Sequence, residues 1–359
     1  MKKRYVKIFT VLLACTLFLS ACKDSNSNTQ TNTLNTSSTS KSEVSSGTKK
    51  VTSAPVDLAV NPESDFEYEF DSNLHGVKVS YIGNATTVRF PDTINGDPVV
   101  AIGQTHSTVI PSITAVSIPE GIKVIGAGAF DGYTGLTNVS IPNSVTLIDL
   151  DAFQGCTELT DVVMPDSLTV IETGAFQGCK GLLSITIPDG VLSIGSNAFM
   201  DCADLTSVTI PDSVISIDSM AFYGCNKLSD IVVPDTADID SEAFKATYWY
   251  ERQPDGLVCI GTTVLGYKGE KPSSITLTDG VTSIGVRAFQ NYSELTSVTI
   301  PDGVTRIGKG AFFGCSKLTS ITIPDSMTEI DKDAFYGCSS LDKATKNRIR
   351  QINPDVQLD

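Results

Sequence analysis

The dipeptide Ala-Phe recurs along this chain at a fixed interval, and that interval limits the fold more than any other feature. Its phenylalanines are Phe130, Phe153, Phe176, Phe199 and Phe222, each 23 residues after the last; Phe244 follows at 22, Phe289 at 45, and Phe312 and Phe335 at 23 again. A leucine keeps step six residues later, at Leu136, Leu159, Leu182, Leu205, Leu228, Leu295, Leu318 and Leu341. Such a period marks an array whose units bury their apolar faces only against their neighbours. By length alone, 359 residues suggest about two globular domains. The period replaces that reading with one repeat solenoid.

Each unit carries strand chemistry before an Ile-Pro or similar pair. Val139 and Ile141, Val162 and Met164, Ile185 and Ile187, Val208 and Ile210 alternate with small polar residues, the pattern of a half-buried strand. Proline closes the strand where no further ladder donor is needed, and Asp-Ser or Asp-Gly makes the turn. A second apolar pair, such as Val214 and Ile217, returns along the opposite wall, and Ala-Phe follows on a short helical or 3-10 turn with its ring inward. With every unit running the same way, the strands pair in parallel about 4.8 Å apart. The expected fold is mainly β, with one continuous parallel β-sheet.

The pattern Ile-Pro-x-x-Val-x-x-Ile-(Gly/Asp)-x-x-Ala-Phe-x-Gly-Cys-x-x-Leu-x-x-Val resembles the BspA-like leucine-rich-repeat family of bacterial surface proteins, over about Phe66 to Leu341. Gly76–Gly83, Phe90-Pro91 and Gly96–Gly103 look like that family's opening hairpin and first rung. One unit departs: Gln104-Thr105-His106 stands where Ala-Phe is expected. Ser340 to Ile352 suits an amphipathic helix covering the last rung, as an open solenoid end requires. The expected organisation is a hairpin cap and first rung over 63–112, the solenoid over 113–341 with an inserted hairpin at about 247–270, and a C-terminal cap over 342–359.

Before residue 63 the chemistry changes. Lys2, Lys3, Arg4 and Lys7 precede an apolar stretch from Ile8 to Leu19, too short to span a bilayer that needs about 20 residues. This is the form of a signal peptide over 1–21. Leu19-Ser20-Ala21-Cys22 resembles the bacterial lipobox, which implies lipidation of Cys22 and anchoring at the outer face of the cell membrane. Between Lys23 and Ser53, 21 of 31 residues are Ser, Thr, Asn or Gln. Such a tract cannot bury enough surface to offset its chain entropy, so 22–62 reads as a disordered tether.

Composition then narrows the function. The net charge is −15, and four of the 26 basic residues lie in the signal peptide. An acidic body argues against nucleic acid, which needs a basic footprint. Two histidines, His75 and His106, leave little for His-based catalysis, and there is no nucleophile elbow, zinc spacing or phosphate loop. Neither an enzyme nor a metal or cofactor site is expected. Cys156, Cys179, Cys202, Cys225, Cys315 and Cys338 share one register with Tyr133 and Tyr292. Only an inward slot tolerates both, so these thiols read as reduced, buried small hydrophobes. A second ladder of Gly126, Asp149, Glu172, Gly195, Asp218, Asp240, Gly285, Gly308 and Asp331 reads as backbone chemistry, its aspartates capping the Ala-Phe turn.

Two surfaces remain for a ligand. One is a Ser/Thr strip on the strands: Ser184/Thr186, Ser207/Thr209, Ser274/Thr276, Ser297/Thr299 and Ser320/Thr322. The other is the 45-residue step, where Tyr248-Trp249-Tyr250 and Tyr267 accompany the inserted hairpin. Tyr250 takes the inward leucine position, so part of this cluster belongs to the core. Aromatics on a segment projecting from a rigid scaffold are also hot-spot candidates. With the family resemblance, the expectation is a monomeric, lipid-anchored surface protein that binds or adheres to proteins of a host or neighbouring cell. The competing reading is a structural or carbohydrate-binding envelope lipoprotein.

Overall fold

The computed structural model describes residues 58–104 and 113–358. The signal peptide, Cys22, most of the tether, His106 and the irregular unit after Gln104 lie outside the described residues. What is described is a solenoid whose turns carry two parallel ladders, one on each wall. The front ladder runs Thr87–Arg89, Ala115–Ser117, Asn138–Ser140, Asp161–Val163, then Ser184–Thr186, Ser207–Thr209, Asp230–Val232, then Ser274–Thr276, Ser297–Thr299, Ser320–Thr322. Every pairing is in register, Ile185 opposite Val208 and Val208 opposite Ile231, so the buried residue of each strand lands on that of the next. Two-residue strands such as Ser193–Ile194 and Ser216–Ile217 form the back ladder.

The solenoid is as the repeat predicts, but its sheet is not one continuous surface. Both ladders are interrupted between the turns of Phe153 and Phe176, and the front ladder again between Asp230–Val232 and Ser274–Thr276. The second break has a plain cause: the insertion separates the two strands in the chain. Across the first, the Ala-Phe turns keep the stack together, with Phe153 N–H donating to Ala175 O at 2.8 Å.

Those turns carry much of the cohesion. Alternate amides bond within the turn and to the next one: Ala152 N–H donates to Asp149 O and Gln154 N–H to Asp151 O, while the N–H groups of Asp151, Phe153 and Gly155 donate to Thr173, Ala175 and Gln177. The alternation requires left-handed backbone four residues apart, as at Gly174 (φ 66°) and Gly178 (φ 72°), which explains the glycine in Phe-x-Gly-Cys. Inside, the phenylalanines stack face to face at 5.0–5.5 Å from Phe130 through Phe244, and again at 5.4 and 5.2 Å from Phe289 through Phe335. All are buried.

The six register cysteines are free and fully buried, each Sγ donating to a phenylalanine carbonyl 26 residues earlier, as Cys225 does to Phe199 O at 3.2 Å. Burial pushes the Cys225 thiol up to about 12. The aspartate ladder caps turns as expected: Asp240 Oδ1 accepts from Glu242 N–H and Asp331 Oδ1 from Asp333 N–H, both at 2.9 Å. A threonine ladder was not foreseen. The residue just before a front strand donates its hydroxyl to the same position one turn back, Thr160 to Thr137 O at 3.1 Å and Thr319 to Thr296 O at 3.0 Å.

The ends close differently. Phe66–Asp71 and Gly76–Tyr81 form an antiparallel hairpin, and Gly76–Tyr81 joins Asp97–Ile102 in parallel to begin the back ladder. Upstream, Leu58 O and the Asn61 side chain accept from Arg89, which places this stretch against the first front strand. At the other end Asp342 accepts from Thr345 N–H (2.7 Å) and starts the helix Lys343–Ile352, whose Ile349 is buried on the last turn.

Candidate functional site

The 45-residue step interrupts the array and builds a seam. Phe244 ends the first ring stack. Thr247 then caps a single helical turn, Tyr248–Glu251, its hydroxyl accepting from Tyr250 N–H at 3.0 Å. The chain continues into an antiparallel hairpin of Gly256–Ile260 and Thr263–Lys268. The second of these strands pairs in parallel with Ser283–Ile284 of the resumed array, while Asp240 of the first array bridges to Val286. The resumed turn is therefore shared between the hairpin and the last regular turn. The buried core divides here: Leu265 packs into the first array and its neighbour Val264 into the second.

Two glycines let these backbones meet. A Cβ at Gly285 would lie 2.7 Å from Ile239 O and 2.9 Å from Val264 O, and one at Gly266 (φ 144°) would lie 2.7 Å from Ala288 O. This supplies the reason for glycine at the Asp/Gly position of the resumed turn.

Charge also crosses the seam. Arg287 Nε donates to Asp240 Oδ2 at 2.8 Å. Arg306 reaches back to Ala237 O at 2.9 Å, with its other terminal nitrogen 3.1 Å from Asp238 Oδ1. Burial raises the carboxyls of Asp240 and Asp238 above the ordinary range, with the arginines pulling in the opposite direction. Arg287 holds φ 58°, the left-handed conformation of Gly174 and Gly310 at the same register. Its side chain extends from that position into the ion pair.

The aromatic residues singled out from the sequence take three different places. Tyr248 is exposed, with the Arg252 guanidinium 5.4 Å from its ring centre. Trp249 is half-buried: its N–H donates to Leu228 O at 2.8 Å and its indole meets Phe244 edge-on at 6.5 Å. Phe90 and Tyr133 meet Phe130, and Tyr292 meets Phe289, in the same edge-on way at 5.5–6.1 Å. Tyr250 and Tyr267 come together along a cavity of about 360 Å³ lined also by Glu242, Lys245, Lys271, Arg287 and Gln290. Lys268 Nζ fixes its rim by donating to the carbonyls of Tyr250, Glu251 and Gln253 at 3.2, 2.7 and 3.0 Å.

Beyond Arg287 and Gln290 lies a larger groove, about 650 Å³, that the sequence reading did not find. Asp218, Asp240, Lys309, Phe313, Asp333 and Tyr336 help line it. Phe313 and Tyr336 stack at 5.2 Å on the outer side of consecutive Ala-Phe turns. The signal was present, as two aromatics at one register 23 residues apart. The Ser/Thr strip is interrupted: Ser207 and Thr209 pair with Asp230 and Val232 before the front ladder breaks. Among the described residues no group of three His, Cys, Asp or Glu side chains is placed to hold a metal ion, and no helix is long and apolar enough to cross a membrane. His75 sits in the opening hairpin's turn at φ 55°.

A family model for the BspA type Leucine rich repeat region matches the chain in six copies, over residues 101–173, 146–252 and 265–356. Comparison with curated proteins finds no match. Among solved structures, a leucine-rich cell surface protein from Faecalibacterium prausnitzii is 27% identical over 80% of this chain and 88% of that one, with a TM-score of 0.46. A leucine-rich-repeat protein from Bacteroides ovatus is 25% identical over 80% and 81%, TM-score 0.44. One from T. pallidum is 24% identical over 82% and 96%, TM-score 0.37.

Proposed function

The chain belongs to the BspA-type leucine-rich-repeat family, and from that premise we propose that it is a non-enzymatic binding module that engages a protein partner at the insertion. The observation that carries this reading is the exposed edge at the seam. Tyr250 and Tyr267 line one of two adjoining grooves and Tyr248 is exposed near them, Tyr248 and Tyr250 on the helical turn and Tyr267 on the hairpin that pairs with the resumed array. Aromatic side chains on such a support give area at low entropic cost. Trp249 belongs to the same edge and holds it to Phe244. The acidic body repels anionic surfaces, so affinity rests on aromatic and hydrogen-bonding contacts.

The module acts at the cell surface, tethered through a lipid on Cys22 and the Ser/Thr/Asn-rich segment, as a monomer that adheres to proteins of a host or neighbouring cell. The lipobox-like Leu19-Ser20-Ala21-Cys22 supports the tether. Cells displaying the full chain are expected to bind an immobilised host matrix protein. Tyr248→Ala with Tyr267→Ala should weaken that binding by about 30-fold, the loss of a typical ~2 kcal/mol anchor. Equal binding by both forms rejects the site, and retention on a glycan array instead favours the carbohydrate-binding reading. Cys22→Ser should release the protein from the membrane fraction; labelled fatty acid still entering that variant rejects the anchor.

A further inference from the structure

The opening hairpin leaves a strand edge that no other described residue pairs with. Phe66–Asp71 is the terminal strand of its sheet, bonded on one side to Gly76–Tyr81. Ile82 N–H donates to Asp65 O at 2.8 Å, and the pairing continues with Glu67 opposite Ser80 and Glu69 opposite Lys78. In an antiparallel pair the bonded positions alternate. Asp65, Glu67 and Glu69 therefore turn their backbone groups toward the partner strand, and Tyr68 and Phe70 turn theirs outward, to the open edge; Phe66 lies on the same side, but its N–H donates to Glu63 O.

The side chains of this strand separate by face. Tyr68 and Phe70 lie opposite the buried Val79 and Val77, on the core side, yet are 50% and 61% exposed. They form an apolar face that the solenoid begins and leaves about half open, with Asn95 Nδ2 donating to the Tyr68 hydroxyl at 2.6 Å. Glu67 and Glu69 lie on the opposite face with Lys78, around a pocket of about 260 Å³. Natural edge strands are blunted by charged residues, lysine above all, by proline or by a bulge; this one carries its charge on one face only, as glutamates, with aromatics on the other.

We propose that the outer edge of Phe66–Asp71 accepts an extended segment of a partner protein as an added strand, one whose alternate residues are apolar and basic. The partner's backbone pairs with the N–H and C=O groups of Tyr68 and Phe70, the usual basis of strand addition. Its apolar side chains cover those two rings, and its lysines or arginines face Glu67 and Glu69. Charge decides the occupant. A second copy of this chain would set glutamates opposite glutamates, which destabilises a strand pair. The surface is distinct from the insertion, and substitutions there do not touch it.

The test uses the full chain and an eight-residue peptide alternating lysine and valine. Binding is expected, and an analogue alternating glutamate and valine is expected to bind at least tenfold more weakly. Methylating alternate backbone nitrogens of the basic peptide keeps its charge and removes its edge donors, so binding should vanish; retained binding overturns the proposal as mere charge attraction. On the protein, Phe70→Pro removes an outward donor without taking one from the hairpin, and Glu67→Lys, opposite Ser80, reverses a charge without breaking the Glu69–Lys78 pair. Each should lower affinity at least tenfold with the melting midpoint unchanged. Should Phe70→Pro fail to fold, the methylated peptide still decides. Dimerisation lost in the charge-reversed variant, or edge amides that exchange freely only after deletion of residues 23–57, would assign the edge to another occupant and overturn the proposal.

Discussion

A turn inside the array and the turn at the seam obey different rules. Around Phe199 each contact has a counterpart 23 residues away. Its ring stacks on Phe176 and Phe222, its amide donates to Ala221, and Cys225 donates to its carbonyl. At Arg287 that regularity stops. The neighbour on one side is a hairpin strand, the hydrophobic core divides between Val264 and Leu265, and two arginines reach 47 and 69 residues back to Asp240 and Ala237. The array is held by burial repeated turn after turn, the seam by a few irregular polar contacts. Grooves lined by aromatic side chains open at the seam because the repeat no longer dictates what covers each position.

Breaking an array turn should cost most. Phe199→Ala leaves a cavity in a fully buried stack and should lose about 3–5 kcal/mol in urea titration. Cys202 and Cys225, inert in the native chain because burial holds both thiols up, should then label faster than Cys338. An unchanged midpoint would mean that the stack is not what holds the turns. At the seam, Trp249→Ala should cost about 2 kcal/mol, since its half-buried ring closes the stack at Phe244, whereas Tyr248→Ala should leave the midpoint alone and weaken partner binding. The reverse pattern would exchange their roles.

Removing a staple tests whether charge joins the two arrays. Arg287→Met leaves Asp240 buried without its partner and should cost about 1–3 kcal/mol. Hydrogen exchange should accelerate at Ser241 and Val286, whose amides cross the seam, with little change near Phe176. Uniform acceleration would make array and seam one cooperative unit. The smallest effect is expected from pH. Burial raises the Asp240 carboxyl, so the folded state holds its proton more tightly than the unfolded chain. Its contribution to stability is full below the ordinary value of about 4 and is lost as pH rises through the raised one. The native chain should therefore gain stability relative to Asp240→Asn as pH falls toward 4; a slope of the opposite sign would show that Arg287 outweighs burial.

How much of this was legible follows from the same division. Phe130 through Phe335, the leucine register and the cysteine slot were readable because each residue's main neighbour is its own repeat equivalent, so pattern and contact coincide. The threonine ladder is less plain in the sequence, because Leu183, Ser229 and Ser273 interrupt the threonines at that register and a hydroxyl's bond to a carbonyl one turn back depends on how closely the turns stack. Phe313 and Tyr336 were periodic too, but the outer side of the Ala-Phe turn read as surface.

By itself, then, the sequence determined the solenoid, the direction of its strands, the inward set and the place where the regular array stops, since a one-turn unit has only its neighbours to bury against. The tertiary structure decided what happens at that place. That Arg287 meets Asp240, that Arg306 reaches Ala237, that Trp249 turns inward while Tyr248 faces solvent, and that Gly285 lies between two carbonyls all depend on how the hairpin folds back on the first array. Such contacts occur once, between residues whose separation follows no period, and their geometry comes into being only when both arrays are in place.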